Sequence, residues 1–245
     1  MIIGKKIEPQ LISVIIPTLN EEANIVKTIL RVKKLFNEIK TKYEIIIVDE
    51  KSTDNTIKNI HKQKNKNLKI IISKKKLGLG YALYQGVNVS RGEYILFLDA
   101  DNSVKNIYLK RIIKKVSNKE VVIGSRYLKL SEIKGVSKIK ILLSENLNKM
   151  ISLIFTLKVK DSSHSLRIFQ KNFKYKITNF NHPIFFWEHT INAISKGFKV
   201  SEVPISFNER LSGKTKNSFR RLFKNIILSI KNIYKLKKNQ IDEKL

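Results

Sequence analysis

The chain has no cysteine, which excludes disulfides, thiolate metal sites and cysteine nucleophiles, and fits a reducing compartment. Acidic residues are scarce: 20 Asp and Glu stand against 49 Lys and Arg in 245 residues, a formal charge of +29. That surplus favours polyanionic partners, meaning nucleic acid, nucleotide phosphates or an anionic membrane surface, although a lysine-rich solvated surface has the same composition. Long apolar runs are missing too. No stretch reaches the roughly 18 uninterrupted apolar residues of a membrane-spanning helix, and Met1 to Gln10 lacks the apolar region of a secretory signal. The terminal Asp242-Glu243-Lys244-Leu245 has the letters of a retention signal in the wrong order. The expectation is a cytosolic location with no transmembrane helix and no signal peptide. Apolar residues still make up 42%, enough for a substantial core, and the length suits one domain or one domain with an appendage.

What is present in the first hundred residues alternates in kind. Ile12 to Ile16, Tyr43 to Val48, Leu68 to Ile72 and Tyr94 to Leu98 are near-continuous apolar runs, as in strands buried on both faces of a parallel sheet. Between them, Glu22 to Ile39 sets Ile25, Ile29, Val32 and Phe36 on one helical face, and Asp54 to Lys62 and Leu79 to Val89 supply shorter helices. This alternation predicts a doubly wound α/β fold. Further on, Val121 to Ile123 and Val200 to Phe207 are expected strands, Val136 to Val159 an apolar helical region, and Asn217 to Lys238 an amphipathic helix.

In an open parallel sheet, ligands bind beyond the carboxyl ends of the strands. Three of the expected strands deliver polar clusters there: Pro17-Thr18-Leu19-Asn20-Glu21-Glu22, Asp49-Glu50 with Lys51-Ser52-Thr53-Asp54, and Asp99-Ala100-Asp101-Asn102-Ser103. Carboxylates at the end of an apolar strand need a cation or hydrogen-bond donors. Asp99 and Asp101 are spaced to approach one hard divalent ion, which takes one or two carboxylates and completes its shell with water and substrate phosphate. Lys76-Leu77-Gly78-Leu79-Gly80 precedes a helix, but Gly-Lys-Ser/Thr is absent and the glycines do not follow the first strand. ATPase and dehydrogenase readings therefore fall.

Taken in order, Ser13-Val14-Ile15-Ile16-Pro17-Thr18-Leu19-Asn20-Glu21, Glu44-Ile45-Ile46-Ile47-Val48-Asp49-Glu50, Lys76 to Gly80, Gly92-Glu93-Tyr94, Asp99-Ala100-Asp101 and Ile123-Gly124-Ser125-Arg126-Tyr127 resemble a family 2 glycosyltransferase. With Glu202-Val203-Pro204-Ile205, Glu209-Arg210 and Gly213-Lys214-Thr215-Lys216, the closer resemblance is to the dolichyl-phosphate (polyprenyl-phosphate) mannose synthases. The resemblance covers about residues 11 to 217. It implies an α/β GT-A fold over 1–216, a mostly parallel sheet with helices on both faces, and a basic amphipathic tail over 217–245. It also implies inverting transfer, most simply of mannose from GDP-mannose, onto a polyprenyl or dolichyl phosphate at the cytosolic membrane face, with Mg²⁺ or Mn²⁺. A membrane-anchoring partner subunit is a further implied partner. By position, Pro17, Leu19 and Glu21 would line the nucleotide pocket, with Val48, Asp49 and Glu50 beside the base. Asp99, Ala100 and Asp101 would hold diphosphate and metal, with Ser103 as a third ligand, and Arg126, Lys140, Arg210 and Lys216 would gather phosphates. Of these, Asp99, Asp101, Arg126 and Arg210 are the expected catalytic set.

Several positions depart from the resembled pattern. Asp49-Glu50 stands for an Asp-Asp pair, Leu19 for a common Tyr, and Ser163-His164-Ser165-Leu166-Arg167 for Thr-Ser-Gly-Phe-Arg. Arg167 falls on the family's arginine, and Glu188 on an acidic position that could touch acceptor or only hold structure. The histidines, His61, His164, His182 and His189, are expected to pack or lie on the surface. Ten Lys or Arg and no acid between Arg210 and Gln240 make the 217–238 helix a candidate to lie on an anionic bilayer, and the apolar excess of Ile139 to Leu157 makes that segment a second. Alternatives are UDP-glucose or UDP-N-acetylglucosamine as donor, a non-lipid acceptor, a non-catalytic partner subunit, and a basic nucleic-acid-binding protein. Against the last, no nucleic-acid-binding module is recognisable.

Overall fold

The computed structural model describes residues 11–74, 76–173, 179–180 and 183–208. The first apolar runs form β1 (Ile12–Thr18), β2 (Tyr43–Asp49), β3 (Leu68–Ile72) and β4 (Tyr94–Phe97), and between them lie α1 (Ile25–Glu38), α2 (Thr56–His61) and α3 (Leu79–Val89). After β4 come α4 (Asn106–Lys115), β5 (Glu120–Ser125), β6 (Glu132–Lys134), α5 (Lys138–Ile154), β7 (Arg167–Gln170), α6 (Ile184–Ser195), β8 (Lys199–Pro204) and β9 (Ser206–Asn208).

Seven strands make one sheet in the order β3-β2-β1-β4-β7-β5-β8. All neighbouring pairs are parallel except β4–β7 and β7–β5. The alternation of side chains across each strand divides the core in two. Ile12, Val14, Ile16, Ile45 and Ile47 face α1, α2 and α4 and pack with Ile29, Phe36, Ile60 and Ile112. Ile15, Ile46, Val48, Ile95 and Phe97 face α3 and α6 and pack with Leu83, Phe185 and Phe186. A smaller cluster joins α5 to α6 through Ile151, Trp187 and Ile191. Gly86 lets α3 lie directly on β1: a Cβ there would come within 2.4 Å of Ile15 Cγ2.

Two expectations need correction. The long helix covers Lys138–Ile154 only; the chain leaves it at Thr156, whose φ is +53°. The expected strand from Val200 to Phe207 breaks at Ile205 into β8, in the main sheet, and β9, which pairs with β6 in a two-stranded sheet. The sheet also includes a reversed strand, β7, in its middle. Because β7 runs against its neighbours, its first residue sits where theirs end, with Arg167 opposite Phe97 and Ile123. The loop before β7 is thus carried to the carboxyl edge, beside the acidic cluster. Arg210, Lys216, His182 and the expected 217–238 helix lie outside the described residues.

Candidate functional site

Each strand end is laced to its neighbour by its own polar side chains. Asp49 is fully buried and accepts hydrogen bonds from Thr18 Oγ1 (2.9 Å), Ser52 N (2.7 Å) and Ser52 Oγ (2.6 Å). Glu50 Oε1 accepts from the backbone of Leu77 (3.1 Å) and Gly78 (2.6 Å), so the carboxylate after β2 holds the glycine turn before α3. Gly78 has φ +96°, a conformation other residues adopt only with strain. Asn20 joins the first two loops, accepting from Thr53 N (2.8 Å) while its own N–H donates to Ser52 Oγ (2.8 Å). Glu21 is 5% exposed, its N–H donates to Thr56 Oγ1 (2.8 Å), and its Oε2 accepts from Asn24 (3.0 Å).

The third strand end is the acidic one. Asp99 is half-buried and Asp101 is 8% exposed. Between them, Ala100 points into the core and its carbonyl accepts from Thr28 Oγ1 (2.7 Å), anchoring the turn to α1. Ser103 is buried and its N–H donates to Asp101 Oδ1 (3.1 Å). From α1, Arg31 donates to the Val104 carbonyl (2.6 Å) and sets its guanidinium near Asp101. Asp99, Asp101 and Ser103 offer hard oxygen donors of the kind that suits Mg²⁺ or Mn²⁺. No group of three or more acidic, His or Cys side chains gathers as a cage among the described residues. Such a donor set fits a cation shared with substrate phosphate.

The β7 side closes the site. Arg126, at the end of β5, makes a two-pronged ion pair with Asp161: Nε to Oδ2 at 2.7 Å and Nη2 to Oδ1 at 2.8 Å. Asp161 is fully buried and the Arg126 side chain is 19% exposed. Burial pushes the Asp161 carboxyl up, but the Arg126 guanidinium outweighs it and holds the group at about 2. Arg126 is raised in turn: burial works against its charge and Asp161 more than reverses that. Asn148 of α5, itself 1% exposed, accepts from Ser162 Oγ, Ser163 N and Trp187 Nε1 (3.1–3.3 Å). Ser165 Oγ donates to Asp99 Oδ2 at 2.5 Å.

Among the residues expected from sequence, Pro17, Leu19, Glu21, Asp49, Glu50, Asp99, Asp101, Ser103 and Arg126 lie at or beside one edge of the sheet. Val48 instead packs into the α3 face of the core, and Lys140 sits in the first turn of α5. Arg167 is completely buried, bonded to the carbonyls of Ser162 and His164, and Glu188 accepts from Asn179 N (3.1 Å). His189 is enclosed by Phe169, Phe173, Phe97 and Phe185. The residues sequence reasoning missed are Arg31, Asn148, Asp161 and Ser165. Asp161 had one available signal: it is among only 20 acids in a strongly basic chain.

The glycosyl transferase family 2 model matches residues 13–178. The chain belongs to that family. This glycosyltransferase domain is 28% identical over 232 residues to the dolichol-phosphate mannosyltransferase of Pyrococcus furiosus, covering 93% of this chain and 64% of the relative. It is 30% identical over 226 residues to the dolichyl-phosphate beta-glucosyltransferase of Saccharomyces cerevisiae, covering 81% of this chain and 67% of the relative. The chain thus spans about two thirds of the length of either relative. Among solved structures, mannosyl-3-phosphoglycerate synthase from Rubrobacter xylanophilus superposes with a TM-score of 0.67 at 14% identity, over 96% of this chain and 75% of that one. Glucosyl-3-phosphoglycerate synthase from Mycobacterium tuberculosis, solved with Mn²⁺ and UDP-glucose, gives 0.65 at 16% identity, over 91% and 79%. The fold of the glycosyltransferase domain is therefore GT-A, as expected.

Proposed function

We propose that this glycosyltransferase moves a hexose, mannose from GDP-mannose in the first instance, onto a polyprenyl or dolichyl phosphate. The observation that carries the reading is the acidic strand end Asp99-Ala100-Asp101 with Ser103, beside two further polar strand ends, in a family 2 domain whose relatives are named for transfer to dolichyl phosphate. The yeast relative supports a second reading, with UDP-glucose as donor. A solved structure of the same fold that holds Mn²⁺ and UDP-glucose supports a divalent cation, Mg²⁺ or Mn²⁺, as cofactor.

In the transfer, an acceptor phosphate oxygen attacks C1 of the sugar while the bond from C1 to the nucleotide diphosphate breaks, with inversion. A cation held by Asp99, Asp101 and Ser103 would supply charge neutralisation to the leaving diphosphate. The acceptor phosphate is already an anion near neutral pH, so it needs orientation and positive partners more than a strong base. Lys140, Arg210 and Lys216 are assigned to gather phosphates. Arg126 is assigned beside them near Asp99, where its pair with Asp161 holds the guanidinium rigid and offsets much of its charge. Pro17, Leu19, Glu21, Asp49 and Glu50 are assigned to the nucleotide side, where Glu50 also fixes the turn before α3.

The acceptor implies a membrane, met peripherally from the cytosolic face. No helix among the described residues is long and apolar enough to cross one. Support comes from α5, where Ile139, Leu142 and Leu153 are 60–81% exposed amid exposed Lys138 and Lys149, a composition suited to an anionic interface. The 217–245 tail is assigned the same role beside a catalytic domain of 1–216.

The test is a transfer assay with labelled GDP-mannose, UDP-glucose and UDP-N-acetylglucosamine, each with polyprenyl phosphate and Mg²⁺ or Mn²⁺. Label entering the organic phase from GDP-mannose supports the first reading, and from UDP-glucose the second. Nucleotide-sugar binding with no lipid-linked product from any donor overturns the acceptor.

A further inference from the structure

We propose that Ser165 is a positioning residue for Asp99, and that loop 161–165 presents that carboxylate to the cation and diphosphate. The proposal rests on the reading that Asp99 and Asp101 hold them. Ser165 Oγ donates to Asp99 Oδ2 at 2.5 Å, and Ser165 is only 8% exposed, so the hydroxyl meets the carboxylate where little water competes. Hydrogen bonds to an ionised acceptor are the short, strong kind, and one through Oδ2 sets the plane in which the carboxylate lies.

The hydroxyl arrives preset because its loop is fastened from three elements. Asp161 is gripped by Arg126 of the β5 end, Ser162 and Ser163 by Asn148 of α5. Arg167, the first residue of β7, donates to the carbonyls of Ser162 (3.1 Å) and His164 (2.6 Å). The resembled motif has glycine at the position of Ser165, and glycine has no hydroxyl to offer. Asp99 and Ser165 are 66 residues apart, and only the reversal of β7 brings them together. A partner that orients a metal-binding side chain without binding the metal changes affinity by about 10- to 100-fold when removed.

The experiment titrates the full chain with Mn²⁺ in the presence of GDP, and in parallel UDP, reading free Mn²⁺ by electron paramagnetic resonance. Ser165→Ala is expected to weaken Mn²⁺ binding by about 10- to 100-fold, with Ser165→Thr, which keeps the hydroxyl, restoring most of it. Thermal melting checks that each variant is folded; if Ser165→Ala is not, Ser165→Gly takes its place with the same two readings. Asp101→Ala separates the two levels of the argument. Unchanged Mn²⁺ affinity in Ser165→Ala while Asp101→Ala loses it overturns the role of Ser165 and leaves the metal reading standing. Affinity unchanged in both variants overturns both.

Discussion

Asn20, Lys51 and Asn102 have φ of +55°, +59° and +57°, and each lies just beyond a strand that ends in the candidate site. Asparagine tolerates this left-handed conformation better than other side chains do, and Asn20 is further held in place by the hydrogen bond it accepts from Thr53 N in the neighbouring loop. Lysine has no such compensation, and its Cβ costs roughly 1–2 kcal/mol there. Lys51→Gly is therefore expected to stabilise the protein by about 1 kcal/mol in urea denaturation, since relief of the Cβ clash exceeds the backbone entropy that glycine loses. Lys51 is exposed, so a loss of stability would mean that its side chain does more than follow the turn. At the same scale, Asp101→Ala is expected to abolish metal-dependent transfer while leaving the protein folded, with some loss of stability because Ser103 N and the Arg31 guanidinium lose their carboxylate. Retained activity would remove Asp101 from the metal assignment.

Elements depend on pairings that no local pattern announces. The four early strands were legible because each is a continuous apolar run, and α1 because its buried residues recur at helical spacing. By contrast, α6 buries nine of its residues, from Ile184 to Ala193 and on every side, so it has no polar face to set off an apolar stripe. The strand β7 is four residues long and begins with arginine. That arginine is tolerated in the core because the carbonyls of Phe186, Ser162 and His164, together with Thr190 Oγ1, accept from it. Acidic residues at the strand ends were legible from position alone, whereas Asp161 acquires meaning only once Arg126 is beside it. Asp161→Ala would leave that guanidinium without its carboxylate, at an expected cost of about 3–5 kcal/mol. A double-mutant cycle with Arg126→Met should recover much of the loss; additive penalties would show that the two are not energetically coupled. Gly86→Ala probes the contact of α3 with β1. Helix propensity favours the alanine, but its methyl would collide with Ile15, so a net destabilisation of about 1–2 kcal/mol is expected by chemical denaturation. A stabilised variant would mean that α3 can lift off the sheet cheaply.

The molecule as a whole responds to pH through groups buried on its two sides. Burial first, and Arg167 second, hold His189 well below the ordinary histidine value of 6.5. The folded protein thus keeps His189 neutral while the unfolded chain takes up a proton below that value. Stability is full above pH 6.5 and declines as pH falls. Asp161, depressed from 3.8 to about 2, adds a second loss over that lower window, worth about 2 kcal/mol. His189→Gln should remove the upper step from a plot of unfolding free energy against pH; persistence of the step would assign it elsewhere. Charge acts at the same scale. With +29 overall, flotation with anionic vesicles should weaken as salt is raised, and Leu142→Asp with Ile139→Asp should reduce it about tenfold or more. Undiminished flotation would move the membrane contact off α5.

The reversed strand also has a meaning in time. On the ribosome, β1 to β4 emerge ahead of β7, and they can assemble their half of the sheet from neighbouring parts of the chain. Yet β4 is left with one bare edge, because its partner on that side is β7, made only after the whole of α5. Until then the nascent protein exposes an unpaired apolar strand that invites wrong partners. Asp99, at the tip of that strand, has been synthesised but not yet given its neighbour Ser165. The enzyme's acidic centre is thus translated well before the residue that completes it, and matures only when that residue arrives.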